Sequence, residues 1–175
     1  MPIVGHSFRM QINVAQLLIE PIGSTRTWDI NQPTSDGEQV WGRVTLTRTD
    51  RGILVTGKLH TAVTVTCSRC LGPARQELLL NIEEEYFPTV DVATGVPLSP
   101  AGESGTFTID EQHTLDIEEA VRQYTVVAIP MKALCREDCP GLCPQCGQNL
   151  NEGPCGCAEP ELDARWAPLR KLNLS

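Results

Sequence analysis

The sequence predicts an α+β protein: a mostly antiparallel β-sheet or meander, one main helix, and a C-terminal cysteine-rich module that binds zinc. Three observations carry that expectation. Two alternating apolar–polar runs, Val40 to Leu46 and Ile53 to Val65, flank Asp50-Arg51-Gly52, the pattern of a β-hairpin. One segment, Asp116 to Ile129, has the periodicity of a helix. Six of the eight cysteines fall within the 23 residues from Cys135 to Cys157.

In chain order, Phe8 to Val14 alternates like a strand, and Val14 to Pro21 reads as a short helical turn ended by proline. Ser24 to Ile30 is again strand-like, and Asn31 to Glu38 has the composition of a loop. The hairpin follows. Its second strand runs into Cys67-Ser68-Arg69-Cys70, and extended structure resumes at Ala74 to Phe87, which places the cysteine pair at a hairpin tip. Pro88 to Gly105 is rich in Pro, Gly and Ser and reads as a mobile loop. Thr106 to Asp110 is one more strand. In the helix, Asp116 is positioned to cap with Glu119 in a capping box. Ile117, Ala120, Val121, Tyr124, Val127 and Ala128 share the face expected to pack on the sheet. Pro130 ends it. The expected organisation is a β-rich domain over 1–134, with its helix at 116–129, and a cysteine module with a tail over 135–175, tied to the first through Cys67 and Cys70.

With 41% hydrophobic residues, the 175-residue chain has enough apolar side chains for a packed core. It carries no apolar run long enough for a membrane span. The N-terminus does not read as a signal peptide, so the expected location is the cytoplasm, where thiols stay reduced. The net charge is −8, and residues 89–134 concentrate it, with seven acidic residues against two basic. Such a surface repels phosphate backbones on average, so a basic protein suits it better than RNA as an immediate partner.

Eight cysteines in a reducing compartment point to metal rather than disulfides. Zinc takes four thiolates in a tetrahedron, commonly from two short hooks. Cys67/Cys70 and Cys143/Cys146 are both C-x2-C hooks; Gly147 lets the second turn tightly so that N–H groups face sulfur. Cys135/Cys139 and Cys155/Cys157 complete two sets of four. One partition joins Cys67, Cys70, Cys135 and Cys139, leaving Cys143, Cys146, Cys155 and Cys157 as a local second site. The other groups Cys135, Cys139, Cys143 and Cys146, leaving Cys67 and Cys70 to meet Cys155 and Cys157. The break at Pro140-Gly141 favours the first, in which Arg69 and Arg136 lie within the hooks and offset thiolate charge. The C-x3-C-x2-C spacing at Cys139, Cys143 and Cys146 occurs in radical enzymes with a four-iron cluster, but no βα repeat precedes it here. No thioredoxin-like context surrounds the C-x2-C pairs. The phosphate-loop, dinucleotide and H-E-x-x-H motifs are absent, so no catalytic residues are assigned.

Four stretches taken in order, "CSRCL", "AIPMKALCREDCPGLCPQCGQNLN", "CGC" and "LDARWAPLRKL", resemble the bacterial YceD family, large-subunit ribosomal RNA accumulation proteins with plastid relatives. The resemblance implies a non-enzymatic role in large-subunit biogenesis, through a ribosomal or rRNA-processing partner. The alternatives from other classes are a zinc-ribbon adaptor in transcription or an Fe–S redox or radical enzyme. The tail Asp163 to Leu172 alternates Trp166, Leu169 and Leu172 with Arg165, Arg170 and Lys171. Arg69, Arg75, Arg136, Arg165, Trp166, Arg170 and Lys171 are the candidate contacts to a partner or, locally, to RNA.

Overall fold

A computed structural model describes residues 10–34, 36–98 and 105–157. Its strands are β1 (Gln11–Asn13), β2 (Thr25–Pro33), β3 (Gln39–Arg48), β4 (Ile53–Thr66), β5 (Pro73–Pro88), β6 (Phe107–Ile109) and β7 (Thr114–Asp116). Its helices are α1 (Ala15–Ile19) and α2 (Glu118–Ala128). The strands form one sheet in the order β1-β7-β6-β5-β4-β3-β2. The chain divides into two compact units, residues 1–65 with 75–131 and residues 66–74 with 132–175. No helix among the described residues is long and apolar enough to cross a membrane.

The β2–β3–β4 meander follows from side-chain alternation. Val44, Leu46, Ile53, Val55 and Leu59 are fully buried, while the residues between them are more exposed. On β5 the even positions Leu78, Leu80, Ile82 and Tyr86 point inward. Asn31–Pro33, read from composition as loop, instead complete β2, with Pro33 opposite Gln39. β2 lies at the edge of the sheet, where a proline without an N–H breaks no ladder.

The sheet is mixed. β5 and β6 run parallel, from Tyr86 opposite Phe107 to Pro88 opposite Ile109, so the segment between them must return the chain to the same end. Within the stretch read as a mobile loop, Asp91 accepts the backbone N–H groups of Ala93 and Thr94, and Val90 bridges Pro97. Residues 99–104 lie outside the described residues.

The helix differs from the sequence reading in three ways. Thr114–Asp116 form β7, paired with β1, so α2 starts at Glu118 rather than Asp116. Asp116 Oδ1 does accept the Glu118 N–H at 2.9 Å, but no capping box closes, because Glu119 turns to Arg122 and Gln123. Val127 is 85% exposed, although Ile117, Ala120 and Val121 are buried and Tyr124 and Ala128 pack on the core. The buried stripe therefore runs through Tyr124 to Ala128, and Val127 falls on its flank.

Tyr86 ties β5 to the entry of α2. Its ring is 1% exposed and stacks on Phe107 at 5.1 Å, and its hydroxyl donates to the Asp116 carbonyl at 3.2 Å. Burial, with the Asp116 carboxylate next, pushes the phenol's ionisation upward, so it stays a neutral donor. Tyr86→Phe should cost about 1 kcal/mol by leaving that carbonyl unpaired. The check is urea denaturation, with a lower midpoint at unchanged slope.

Candidate metal centre

The six residues linking β4 to β5 are the first hook. Cys67 N–H donates to the Gly72 carbonyl at 2.8 Å and Leu71 N–H to the Cys67 carbonyl at 3.0 Å. The second hook repeats both bonds: Cys143 N–H to Gln148 at 2.8 Å, and Gly147 N–H to Cys143 at 2.9 Å. In each, the residue after the second cysteine is left-handed, Leu71 at φ 58° and Gly147 at φ 76°. Gly147 takes this conformation at little steric cost; Leu71 takes it against a Cβ clash of about 1–2 kcal/mol. Because leucine is no turn signal, the left-handed turn of the first hook was not legible from its residues, although the shared C-x2-C spacing was.

The hooks bring the cysteines together in two tetrads, Cys67, Cys70, Cys135 and Cys139, and Cys143, Cys146, Cys155 and Cys157. Within each, the sulfurs lie within 4.8 Å of one another. Cys67 Sγ is 3.9 Å from Cys139 Sγ, and Cys70 Sγ is 3.7 Å from Cys135 Sγ. All eight cysteines are free. A tetrahedron with metal–sulfur bonds of about 2.3 Å has edges of about 3.8 Å, which the first tetrad matches. A four-iron cluster interposes iron and sulfide between the thiolates and holds them further apart. The donor set and its spacing fit one tetrahedral ion per tetrad.

Without a cation the crowded thiols divide their protons unevenly. In the first tetrad the Cys70 backbone N–H leads in lowering Cys67 to about 6, and the Asn151 amide lowers Cys139. Cys135, whose thiol bonds to the sulfur of Cys139, is pushed up to about 12. In the second, the Cys146 N–H leads in lowering Cys143 to about 6, while hydrogen bonding to Cys146 pushes Cys157 up to about 12. Crowded thiols without a cation share protons in this way, whereas a bound dication deprotonates its thiol ligands.

Further contacts hold the first tetrad. Ser68 N–H donates to the Ala133 carbonyl at 2.8 Å, and the Arg69 guanidinium donates to the Cys139 carbonyl at 2.9 Å. Gly141, at φ 80°, lies so close to Arg69 that a Cβ would sit 3.2 Å from its carbonyl oxygen. From the loop of the second tetrad, Leu150 N–H donates to the Gly141 carbonyl at 2.9 Å, and Asn151 Nδ2 donates to Cys139 Sγ at 3.4 Å. Nothing in the sequence pattern marks Asn151, because its partner is a sulfur of the other tetrad.

Of the basic candidates, Arg69 is engaged with hook carbonyls, Arg136 is ion-paired with Asp138 at 3.2 Å, and Arg75 is exposed on β5. Arg165, Trp166, Arg170 and Lys171 lie outside the described residues.

A family profile described as large ribosomal RNA subunit accumulation protein YceD matches residues 55–173, which is more than half of the chain and spans all eight cysteines. The chain belongs to the YceD family. An uncharacterised protein of Mycobacterium tuberculosis is 37% identical over 121 residues, covering 69% of this chain and 56% of that protein. The large ribosomal RNA subunit accumulation protein YCED homolog 1, chloroplastic, of Arabidopsis thaliana is 27% identical over 187 aligned positions, covering 94% of this chain and 58% of its own length. The protein of the same name from Zea mays is 30% identical over 149, covering 73% and 51%. The YceD chain thus spans about half the length of the curated relatives it matches. No solved structure gives a significant match.

Two outcomes are expected. Gly147→Val forces a β-branched residue into the left-handed region and should accelerate metal loss to a chelator, while Leu71→Gly should leave or slow it; time-resolved release with a chromogenic chelator reads both. Asn151→Leu removes a donor from Cys139 Sγ and should weaken metal binding at the first tetrad by roughly tenfold to a hundredfold. Competition titration would show one weakened and one unchanged site; equal weakening of both, or of neither, contradicts that role.

Proposed function

We propose that this YceD-family chain is a non-enzymatic factor in large-subunit ribosomal RNA accumulation, built around two structural zinc ions, that acts by binding a ribosomal or rRNA-processing protein. The observation that carries the proposal is the pair of four-thiolate tetrads in a chain of this family. Four protein ligands per ion leave no open position for water or substrate, the arrangement of structural rather than catalytic zinc. Cys67, Cys70, Cys135 and Cys139 would hold one ion, and Cys143, Cys146, Cys155 and Cys157 the other. Zinc there supplies cross-linking and charge neutralisation, and the hooks' N–H groups share the sulfur charge. The net charge of −8 favours a basic protein as the immediate partner over naked RNA.

Elemental analysis of untagged protein is expected to give two zinc ions per chain, falling to one in the Cys155→Ser/Cys157→Ser variant with its circular dichroism unchanged. Iron with acid-labile sulfide would overturn the structural reading. Co-purification at low salt is expected to retrieve ribosomal or rRNA-processing proteins; retrieval of none would overturn the proposed mode of action.

A further inference from the structure

A groove of about 490 Å³ lies between the 34–38 turn, the far part of β4 and the first turns of α2. All of its lining residues belong to the unit of residues 1–65 and 75–131. Its lining is divided by chemistry. Val63 and Val126 supply aliphatic surface, Val63 half-buried and Val126 62% exposed on α2 although apolar, while Val121 beneath them belongs to the core. Five carboxylates, those of Asp36, Glu38, Asp116, Glu118 and Glu119, stand against the single guanidinium of Arg122. Arg122 pairs with Glu119 at 2.6 Å, and Asp36 adds to the field around it. Five negative charges against one positive leave the lining with an excess of four. Hydrogen bonds from Arg122 and Gln123 hold Glu119 down to about 2, so its charge persists at any working pH.

We propose that this groove docks a basic, extended polypeptide segment of a partner protein, with lysine or arginine stems against the valines and their cationic heads on the carboxylate rim. Long basic side chains bury their methylene stems along apolar surface while keeping the charge at a polar edge, and the groove offers both surfaces. The same carboxylates repel phosphate, which sets RNA aside as the occupant. The inference rests on the partner-binding reading above and adds to it the chemistry and place of the contact.

The test uses the full chain with its metal and three dye-labelled probes: a decapeptide alternating lysine and leucine, its glutamate–leucine counterpart, and a ten-nucleotide single-stranded RNA. Fluorescence anisotropy should show binding of the basic peptide alone, weakening as salt rises. Asp36→Lys/Glu38→Lys, at the exposed Asp36 and the half-buried Glu38, should weaken it by roughly tenfold or more, and Glu77→Lys/Glu111→Lys, the same charge change outside the groove, by no more than about twofold. Matching urea midpoints confirm that the variants are folded. Val126→Asn should weaken the peptide too, since it removes aliphatic contact without changing the charge of the groove. Equal effects of the two charge-reversal pairs, unchanged binding in Val126→Asn, or binding of the RNA instead would overturn the proposal. The two readings fail separately. If the chain co-purifies with ribosomal proteins and Asp36→Lys/Glu38→Lys retains them, the groove assignment falls and the function stands. If the peptide result holds but no such proteins co-purify, the groove stands and the function falls.

Discussion

Four thiol sulfurs confined within 4.8 Å of one another are the constraint around which the cysteine unit is organised. Four thiolates at that separation repel strongly in a partly desolvated pocket, so they are tolerated only as thiols or around a cation. Several local devices serve those conditions. The hook turns aim N–H groups at sulfur, Arg69 fixes the carbonyl of Cys139, and Asn151 bonds its sulfur.

The two tetrads differ in what they close. Cys70 and Cys135 stand 65 positions apart, whereas Cys146 and Cys155 stand nine apart. By loop-closure entropy, an ion in the first tetrad restricts the unfolded chain by about 2 kcal/mol more than one in the second. The first tetrad thus clamps the β4–β5 connection to the segment after α2, and the second folds a local loop. Asn151 and Leu150, reaching from that loop to Cys139 and Gly141, make the local fold part of the support of the long-range one.

The β-rich unit answers to a different force. Its aliphatic core fixes strand register through alternation, because a one-residue slip would turn Leu78, Leu80, Ile82 and Tyr86 out to water. Once that register is set, the 34–38 turn and the start of α2 meet over β4, and carboxylates far apart in sequence line one groove. Asp36 and Glu38 look like ordinary turn residues, and Glu118 and Glu119 like ordinary first-turn helix residues. Only their convergence gives them a shared field.

The hairpin of β3 and β4, the return along β5, the short α1 and most of the buried stripe of α2 were legible from periodicity, since alternation and the 3.6-residue repeat report which side chains a strand or helix can bury together. The cysteine spacing likewise showed two hooks, and Pro140-Gly141 argued for the grouping the structure displays. Periodicity was silent on β7, three residues long and adjacent to the helix, and on the parallel pairing of β5 with β6, which depends on where a long connection returns. Val127 kept to the helical repeat and is nonetheless exposed, because the repeat gives a face and not the extent of the surface covering it. The sequence by itself determined the hydrophobic periods and the thiol count, both local properties of the chain. Tertiary structure alone decided the bond from Asn151 to Cys139 and the acidic groove, because each depends on groups brought together by folding rather than by their order along the chain.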